Sequence, residues 1–143
     1  MKKLFLLLLL SSLVFSANID HFAKEMQFQR DYKTALSQAQ KENKVLMMVV
    51  SSDYCPWCRK FENRTLKSPL IQPRLNKELV TLVVDSKYDV DSFPEKYKTK
   101  YTPYVFFINP KDESILTKSV GYTKKKEFAE IVTNSQVLYK KSK

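Results

Sequence analysis

The amino-acid sequence predicts an α/β domain in which a central mixed β-sheet is flanked by helices. Segments with helical periodicity alternate with short apolar runs, and a short turn alone separates the last two of these runs. Alternating helices and strands are typical of a parallel sheet, whereas a short turn between two strands indicates an antiparallel hairpin. The sheet should therefore be parallel in its first part and antiparallel in its last part.

The first 17 residues form a separate unit, which we interpret as a secretory signal peptide. Two lysines precede an apolar run over residues 4–14, and small residues follow that run. A basic start, a short apolar run and a small-residue cleavage site are the parts of this signal. The run is shorter than the roughly 20 residues of a membrane-spanning helix, although an uncleaved anchor stays an alternative. Cleavage after Ser16 or Ala17 would leave one domain, residues 18–143, in the periplasm.

The chain is strongly basic. Lysine and arginine outnumber aspartate and glutamate by 25 to 15, which gives a formal net charge of +10. The lysines are spread along the sequence, and export argues against nucleic acid as a partner. We interpret the charge as a solvated basic surface, with an acidic partner or an anionic membrane surface as alternatives, and we expect a monomer.

Three elements are predicted in the first half of the domain. They are a helix over residues 31–43, a buried strand over residues 45–50 and a helix over residues 56–66. Apolar spacing, a continuous apolar run and a proline in a first turn are the respective signals. Ser68 is placed to cap another short helix, which Pro73 should limit. Residues 18–30 show no clear pattern.

The second half is predicted to contain three strands and a final helix. The strands cover residues 79–84, 104–108 and 115–120, and residues 90–100 form a loop with one or two helical turns. The turn chemistry of residues 109–112 makes the last two strands a hairpin. Thr123 can cap a helix that extends to about Tyr139.

Both cysteines lie in one motif, Cys55-Pro56-Trp57-Cys58, where a buried strand is followed by a helix. A bridge across two residues adds little stability, so this pair is not mainly structural. Free N–H groups and the helix dipole favour a thiolate at a helix N-terminus, which makes Cys55 the predicted nucleophile. Cys58 lies one turn further and can resolve a mixed disulfide. The motif therefore predicts thiol–disulfide exchange, with Cys55 and Cys58 as the catalytic residues.

Metal binding is the main alternative for such a motif. Half of a zinc site would need two more ligands, yet the chain has no other cysteine and a single histidine, His21. Met47 and Met48 could suggest copper, but a methionine pair in a core strand is more often packing. We therefore expect no metal and no cofactor.

Taken together, these motifs resemble those of the thioredoxin superfamily, and in particular those of its exported thioredoxin-like members. The resemblance covers roughly residues 31–137. It rests on residues 44–50 before the cysteine motif, on residues 79–85, on Thr102-Pro103 before a strand, and on Val120-Gly121 before the last helix. It implies a thioredoxin-like fold for residues 18–143.

The resemblance also implies a substrate site. Thr102 and Pro103 match the family's cis-proline, which faces the redox pair, although only about 5–6% of X–Pro bonds in folded proteins are cis. In such proteins the backbone beside this proline pairs with an extended substrate segment. Tyr54, in the place of the family's usual tryptophan, and Trp57 are expected to contact substrate, with packing over the helix tip as the alternative.

One departure from thioredoxin concerns proton transfer. Thioredoxin carries a buried aspartate six residues before its first active-site cysteine, and here that position is Val49. The acid is associated with proton transfer to and from the second cysteine. Glu62 and Asp53 are candidates for this role, although a solvated surface position is expected for each.

Three functions are compatible with the resemblance. The first is a reductase of disulfides in exported proteins, such as apocytochromes, that receives electrons from a membrane partner. The others are a disulfide-donating oxidase or isomerase and a non-catalytic binding module. The domain lacks the inserted helical domain of strong periplasmic oxidants, and Pro56-Trp57 is closest in character to the Pro-Tyr of glutaredoxins. These two features favour a reductase of middling potential.

Overall fold

A computed structural model describes residues 18–143 of the protein, and the predicted signal peptide, residues 1–17, lies outside the described residues. In chain order the elements are α1 (Asn18–Met26), α2 (Tyr32–Glu42), β1 (Val45–Ser51), α3 (Pro56–Phe61), α4 (Gln72–Glu78), β2 (Leu79–Asp85), β3 (Tyr104–Ile108), β4 (Ile115–Val120) and α5 (Lys125–Lys141). A π-helical turn, Glu62–Leu66, continues α3, and a 3-10 turn, Glu95–Tyr97, precedes β3. Over residues 18–143, no helix has the length and apolar character needed to cross a membrane.

The strands form one mixed sheet in the order β2-β1-β3-β4. β1 pairs in parallel with β2 and antiparallel with β3, and β3 forms an antiparallel hairpin with β4. This arrangement confirms the predicted fold class. β1 lies between two neighbours and is covered on both faces, so all seven of its residues are buried. A strand in this position needs no polar face, which explains its continuous apolar sequence.

The core lies in two layers, one on each face of the sheet. Met47 and Val49 pack on one side with residues of α1, α3 and α5, whereas Met48 and Val50 pack on the other side with residues of α2. Successive side chains of a strand point to opposite faces, which accounts for this division. Met47 and Met48 are both fully buried and face opposite layers, so this methionine pair is core packing.

Helix α1 is the element that the sequence analysis did not predict. Its buried residues are Ile19, Phe22, Ala23 and Met26, which recur at the spacing of one helical face. The ring of Phe22 meets the ring of Phe28 edge to face at 5.4 Å. The chain then passes beside β2, where Gln29 forms a parallel bridge with Leu82. The segment before α2 is therefore part of the core.

Two predicted helix starts are wrong. α4 begins at Gln72, with Pro73 in its first turn, rather than at Ser68. The Ser68 hydroxyl instead donates to the carbonyl oxygen of Thr65 at the end of the π-helical turn. α5 begins at Lys125 without a side-chain cap, because the Thr123 hydroxyl is hydrogen-bonded to the Ser119 hydroxyl at 2.6 Å. In both places a residue three or four positions earlier in the chain takes the hydroxyl that could have capped the helix.

Candidate active site

Cys55 lies at the N-cap of α3, a few residues after the carboxyl end of β1. Its backbone is extended, and Pro56 occupies the first helical position, where a missing N–H group costs nothing. The backbone N–H of Cys58 donates to Cys55 Sγ at 3.1 Å. The sulfur thus occupies the place of a capping oxygen and faces the free N–H groups of the helix start. This environment stabilises negative charge on Cys55.

Cys55 and Cys58 form a disulfide, and they differ in exposure. Cys58 is fully buried on the inner face of α3, whereas Cys55 is half-buried at the tip of this helix. An incoming substrate sulfur can therefore reach Cys55 more easily than Cys58. The assignment of Cys55 as the nucleophile and Cys58 as the resolving thiol stays a prediction.

The loop before β3 lies against the disulfide. The Thr102–Pro103 peptide bond is cis, as the sequence predicted, and Pro103 is buried. The Thr102 hydroxyl is 3.5 Å from Cys55 Sγ, and the carbonyl oxygen of Thr102 is 3.6 Å from the same sulfur. The carbonyl of Pro103 accepts a hydrogen bond from the N–H of Gly121, which joins this loop to the end of β4. Residues far apart in sequence are thereby brought to the Cys55 sulfur.

The aromatic residues beside the motif are exposed. Tyr54 is 87% exposed and Trp57 is 56% exposed. The Trp57 ring lies 5.9 Å from the Tyr122 ring, and Lys60 Nζ lies over both rings at 4.7 and 4.8 Å. Trp57, Thr102 and Tyr122 also line one open groove. Tyr54 does not pack over the helix tip, and Trp57 packs there only in part.

Tyr122 and Lys60 are site residues that the sequence analysis missed. Tyr122 follows β4 and reaches Trp57 only because the sheet order places the end of β4 near the start of α3. Lys60 is one lysine among many in a basic chain, and the sequence contains no signal that would have singled it out.

The expectation that Glu62 is solvated at the surface is wrong, because its side chain is buried, with 4% exposure. Its Oε1 lies 2.7 Å from a guanidinium nitrogen of Arg59 and accepts a hydrogen bond from the Ser51 hydroxyl at 3.3 Å. Burial raises the pKa of Glu62 to about 7, because the loss of hydration outweighs the attraction of Arg59. Asp53, the other candidate acid, is half-buried and accepts a hydrogen bond from the N–H of Ile19 at 2.9 Å.

Residues 18–143 contain no group of three or more histidine, cysteine, aspartate or glutamate side chains arranged to hold a metal ion. His21 is exposed on α1, with Nδ1 4.0 Å from a carboxylate oxygen of Glu25.

The chain is similar to known proteins in sequence and in structure. A family model described as a thioredoxin-like domain matches residues 32–136. No curated protein sequence matches the chain. A solved structure of a thioredoxin from Thermus thermophilus is 24% identical, with 78% of this chain and 88% of that chain covered and a TM-score of 0.65.

Two further solved structures share the fold. A protein named DsbH oxidoreductase is 18% identical, with 76% of this chain and 84% of that chain covered and a TM-score of 0.62. The C-terminal domain of DsbD from Neisseria meningitidis, in its oxidised form, is 23% identical, with 76% and 98% covered and a TM-score of 0.59. At these identities the likeness concerns the fold, while the redox chemistry rests on the Cys55–Cys58 pair.

Proposed function

The chain belongs to the thioredoxin-like family and is a thiol–disulfide oxidoreductase, and we propose that it works as an exported reductase of disulfides in periplasmic proteins. One observation carries this proposal: the accessible sulfur of Cys55 caps a helix, beside Thr102 and the cis-proline Pro103. A thiolate held at a helix tip is the attacking species in disulfide exchange.

The proposed reaction has two steps. The Cys55 thiolate attacks one sulfur of a substrate disulfide, forms a mixed disulfide and displaces the other substrate sulfur as a thiolate. The Cys58 thiolate then attacks Cys55 Sγ, which releases the remaining substrate sulfur. The substrate gains two electrons, and the enzyme is left with the Cys55–Cys58 disulfide. A membrane electron donor returns the enzyme to its dithiol form.

The surroundings of Cys55 favour a reductase over an oxidase. A strong oxidant needs a very stable thiolate, because stabilising the reduced form raises the potential. The middle of this motif holds Pro56 and Trp57, neither of which carries a charge. Lys60, the nearest exposed cation on α3, lies over the rings of Trp57 and Tyr122. The helix start, rather than a nearby cation, therefore stabilises the Cys55 thiolate.

The substrate site consists of Tyr54, Trp57, Thr102 and Pro103. The exposed rings of Tyr54 and Trp57 offer apolar contact area beside the cysteine motif. The backbone at Thr102, next to Pro103, would pair with an extended substrate segment, as in strand addition. Unfolded exported polypeptides, including apocytochromes, present cysteines in such extended segments.

Export is the second part of the proposal. A signal peptide over residues 1–17 would deliver the monomeric domain, residues 18–143, to the periplasm. The domain begins with α1, whose apolar residues are already in the core at Ile19 and Phe22. Sequencing of the mature N-terminus should find a start at residue 17 or 18, whereas an intact leader in purified periplasmic protein would contradict export by cleavage.

A redox potential measured in glutathione buffers tests the direction of electron flow. We expect a value of about −200 to −230 mV, in the range of glutaredoxins. A value close to the roughly −120 mV of the strongest periplasmic oxidant would favour the oxidase instead. If the disulfide exchanges with no thiol in these buffers, the protein is a binding module and the proposed function is wrong.

A further inference from the structure

A buried carboxylic acid lies one helical turn beyond Cys58. The backbone N–H of Glu62 donates to the carbonyl oxygen of Cys58, and the two side chains are 4% and 0% exposed. Residues four apart on a helix lie on the same face, with their Cβ atoms about 5–6 Å apart. Glu62 and Cys58 are therefore buried neighbours on the inner face of the active-site helix.

The immediate contacts hold the Glu62 carboxylate in one place. Arg59 and the Ser51 hydroxyl both contact Oε1, and Arg59 also donates to Ser51 Oγ at 3.2 Å and to the carbonyl oxygen of Ser52 at 3.3 Å. Among residues 18–143, no hydrogen bond engages Oε2. The carboxylate is thus fixed through one oxygen, while the other can receive a proton.

We propose that Glu62 is the group that takes the proton from Cys58 during resolution of the mixed disulfide and returns it during reduction of the enzyme. The proposal rests on the proposed function, since it needs disulfide exchange by Cys55 and Cys58. Position 49, which would otherwise supply an acid beneath the cysteines, holds a buried valine. Glu62, at the end of α3, would thus accept the proton in place of an acid at position 49 of β1.

The proposed step begins at the Cys58 thiol. The Cys58 thiol gives its proton to Oε2 of Glu62, directly or through one water, and the Cys58 thiolate attacks Cys55 Sγ. The bond between Cys58 and Cys55 forms, the bond between Cys55 and the substrate sulfur breaks, and the substrate leaves as a thiolate. Glu62 then releases its proton to solvent or to that thiolate. Two electrons pass from the cysteine pair to the substrate.

The charges around Glu62 suit a group that exchanges a proton near neutral pH. Burial, with a smaller effect of Asp53 before the motif, favours the acid, whereas Arg59 on α3, the Ser51 hydroxyl and Lys67 after the π-helical turn favour the carboxylate. The balance raises the pKa of Glu62 to about 7. A general base is most effective when its pKa lies close to the working pH. The arginine thus keeps a deeply buried acid able to ionise.

Ellman's reagent, an aromatic disulfide, separates the two steps in one experiment. Attack by Cys55 on the reagent releases one coloured thiolate, and attack by Cys58 on the mixed disulfide releases a second. In Glu62→Gln at pH 7, we expect the second phase to slow about 100-fold, at the lower end of general-base effects, while the first phase changes less than about 2-fold. Above the pKa of Cys58 the two proteins should converge, since hydroxide then supplies the thiolate.

Each outcome decides the question. Glu127→Gln, on the exposed face of α5, is the matched control and should leave both phases unchanged. If Glu62→Gln slows both phases equally, slows neither, or slows the second phase by the same factor at every pH, Glu62 is not the proton acceptor. If the wild-type protein releases no coloured thiolate, the proposed function itself fails.

A measurement on the wild-type protein covers the case in which Glu62→Gln does not fold. The side-chain carboxyl carbon of Glu62 can be followed by NMR against pH in the disulfide and dithiol forms. We expect one titration step in the disulfide form and two in the dithiol form, because Glu62 then senses ionisation of Cys58. The same single step in both forms would show that the two groups do not interact and would overturn the proposal.

Discussion

The hydroxyl of Thr102 lies 3.5 Å from Cys55 Sγ, although 47 residues separate the two in the sequence. In the disulfide form this is a weak contact with a neutral sulfur. In the dithiol form the same hydroxyl can donate to a thiolate, and hydrogen bonds to charged groups are about twice as strong as neutral ones. We therefore expect Thr102 to stabilise the reactive form of Cys55, in addition to the helix start and the N–H of Cys58.

Thr102→Val keeps the shape of the side chain and removes this donor. We expect alkylation of Cys55 in the reduced protein to slow about 3- to 10-fold at pH 7, because one hydrogen bond to the thiolate is lost. Rates with iodoacetamide against pH measure the effect. Thr117→Val, on the edge strand β4, is the matched control. An unchanged rate in Thr102→Val would show that the hydroxyl does not stabilise the thiolate.

The two cysteines should give opposite results when each is replaced by serine. Cys55→Ser removes the accessible nucleophile and should abolish disulfide exchange. Cys58→Ser leaves the nucleophile but removes the resolving thiol, so mixed disulfides with substrate proteins should accumulate. Non-reducing gels after exposure to oxidised substrate show both results. Accumulation of mixed disulfides in Cys55→Ser would reverse the assigned roles.

Trp57→Ala tests the exposed aromatic surface beside the disulfide. The side chain is 56% exposed, so its loss should change the free energy of unfolding by no more than about 1 kcal/mol. It should raise the KM for extended peptide disulfides about 3- to 10-fold, since an aromatic contact contributes about 1 kcal/mol. Val137→Ala, an exposed apolar position on α5, is the control. An unchanged KM would mean that Trp57 packs against Tyr122 and Lys60 without contacting substrate.

The features that the sequence predicted depend on local patterns. Each of these patterns consists of residues that are close together in the sequence. They are the apolar run of β1, the turn before β4 and the cysteine motif at a strand–helix junction. Such patterns fix which face is buried and where a helix starts, and the structure has these elements within a few residues of the expected bounds. The cis bond before Pro103 was predicted from the resemblance to a known family.

The features that the sequence did not predict depend on partners from distant segments. The sequence around Glu62 is that of a polar helix residue, and its hydrogen bond with the Ser51 hydroxyl at the end of β1 depends on how α3 packs against the sheet. Tyr122 joins the site through the sheet order. The apolar spacing of α1 was present in residues 18–26, but a nine-residue helix next to a leader has little periodicity to detect.

Phe22→Ala tests whether α1 belongs to the folded domain. The ring is 2% exposed and packs against Phe28, so its removal leaves a cavity in the core. Truncations of this kind cost about 3–5 kcal/mol. Urea unfolding of the disulfide form measures the change, with His21→Ala on the exposed face of α1 as the control. A loss below about 1 kcal/mol would mean that α1 is not firmly docked.

The buried Glu62 should make the stability of the disulfide form depend on pH in a distinctive direction. Its pKa rises from an ordinary value of 4.5 to about 7 on folding, with burial as the main cause. Between these values the unfolded chain has already lost the proton while the folded protein still holds it. The free energy of unfolding should therefore fall as the pH rises from about 4.5 to about 7 and then level off.

Glu62→Gln removes this titration and should flatten that part of the profile. The difference in unfolding free energy between wild type and variant should change by about 2 kcal/mol over this range, after allowance for partial solvent screening. Urea unfolding of the disulfide form at half-unit pH intervals measures this difference, and Glu127→Gln should follow the wild type.

Suppose instead that the ion pair with Arg59 dominated over burial. The pKa of Glu62 would then lie below its ordinary value, and the wild type alone would lose stability on acidification below pH 4.5. That opposite slope would contradict the proposal that Glu62 exchanges a proton near neutral pH. A permanently ionised Glu62 would be a poor acceptor for the Cys58 proton.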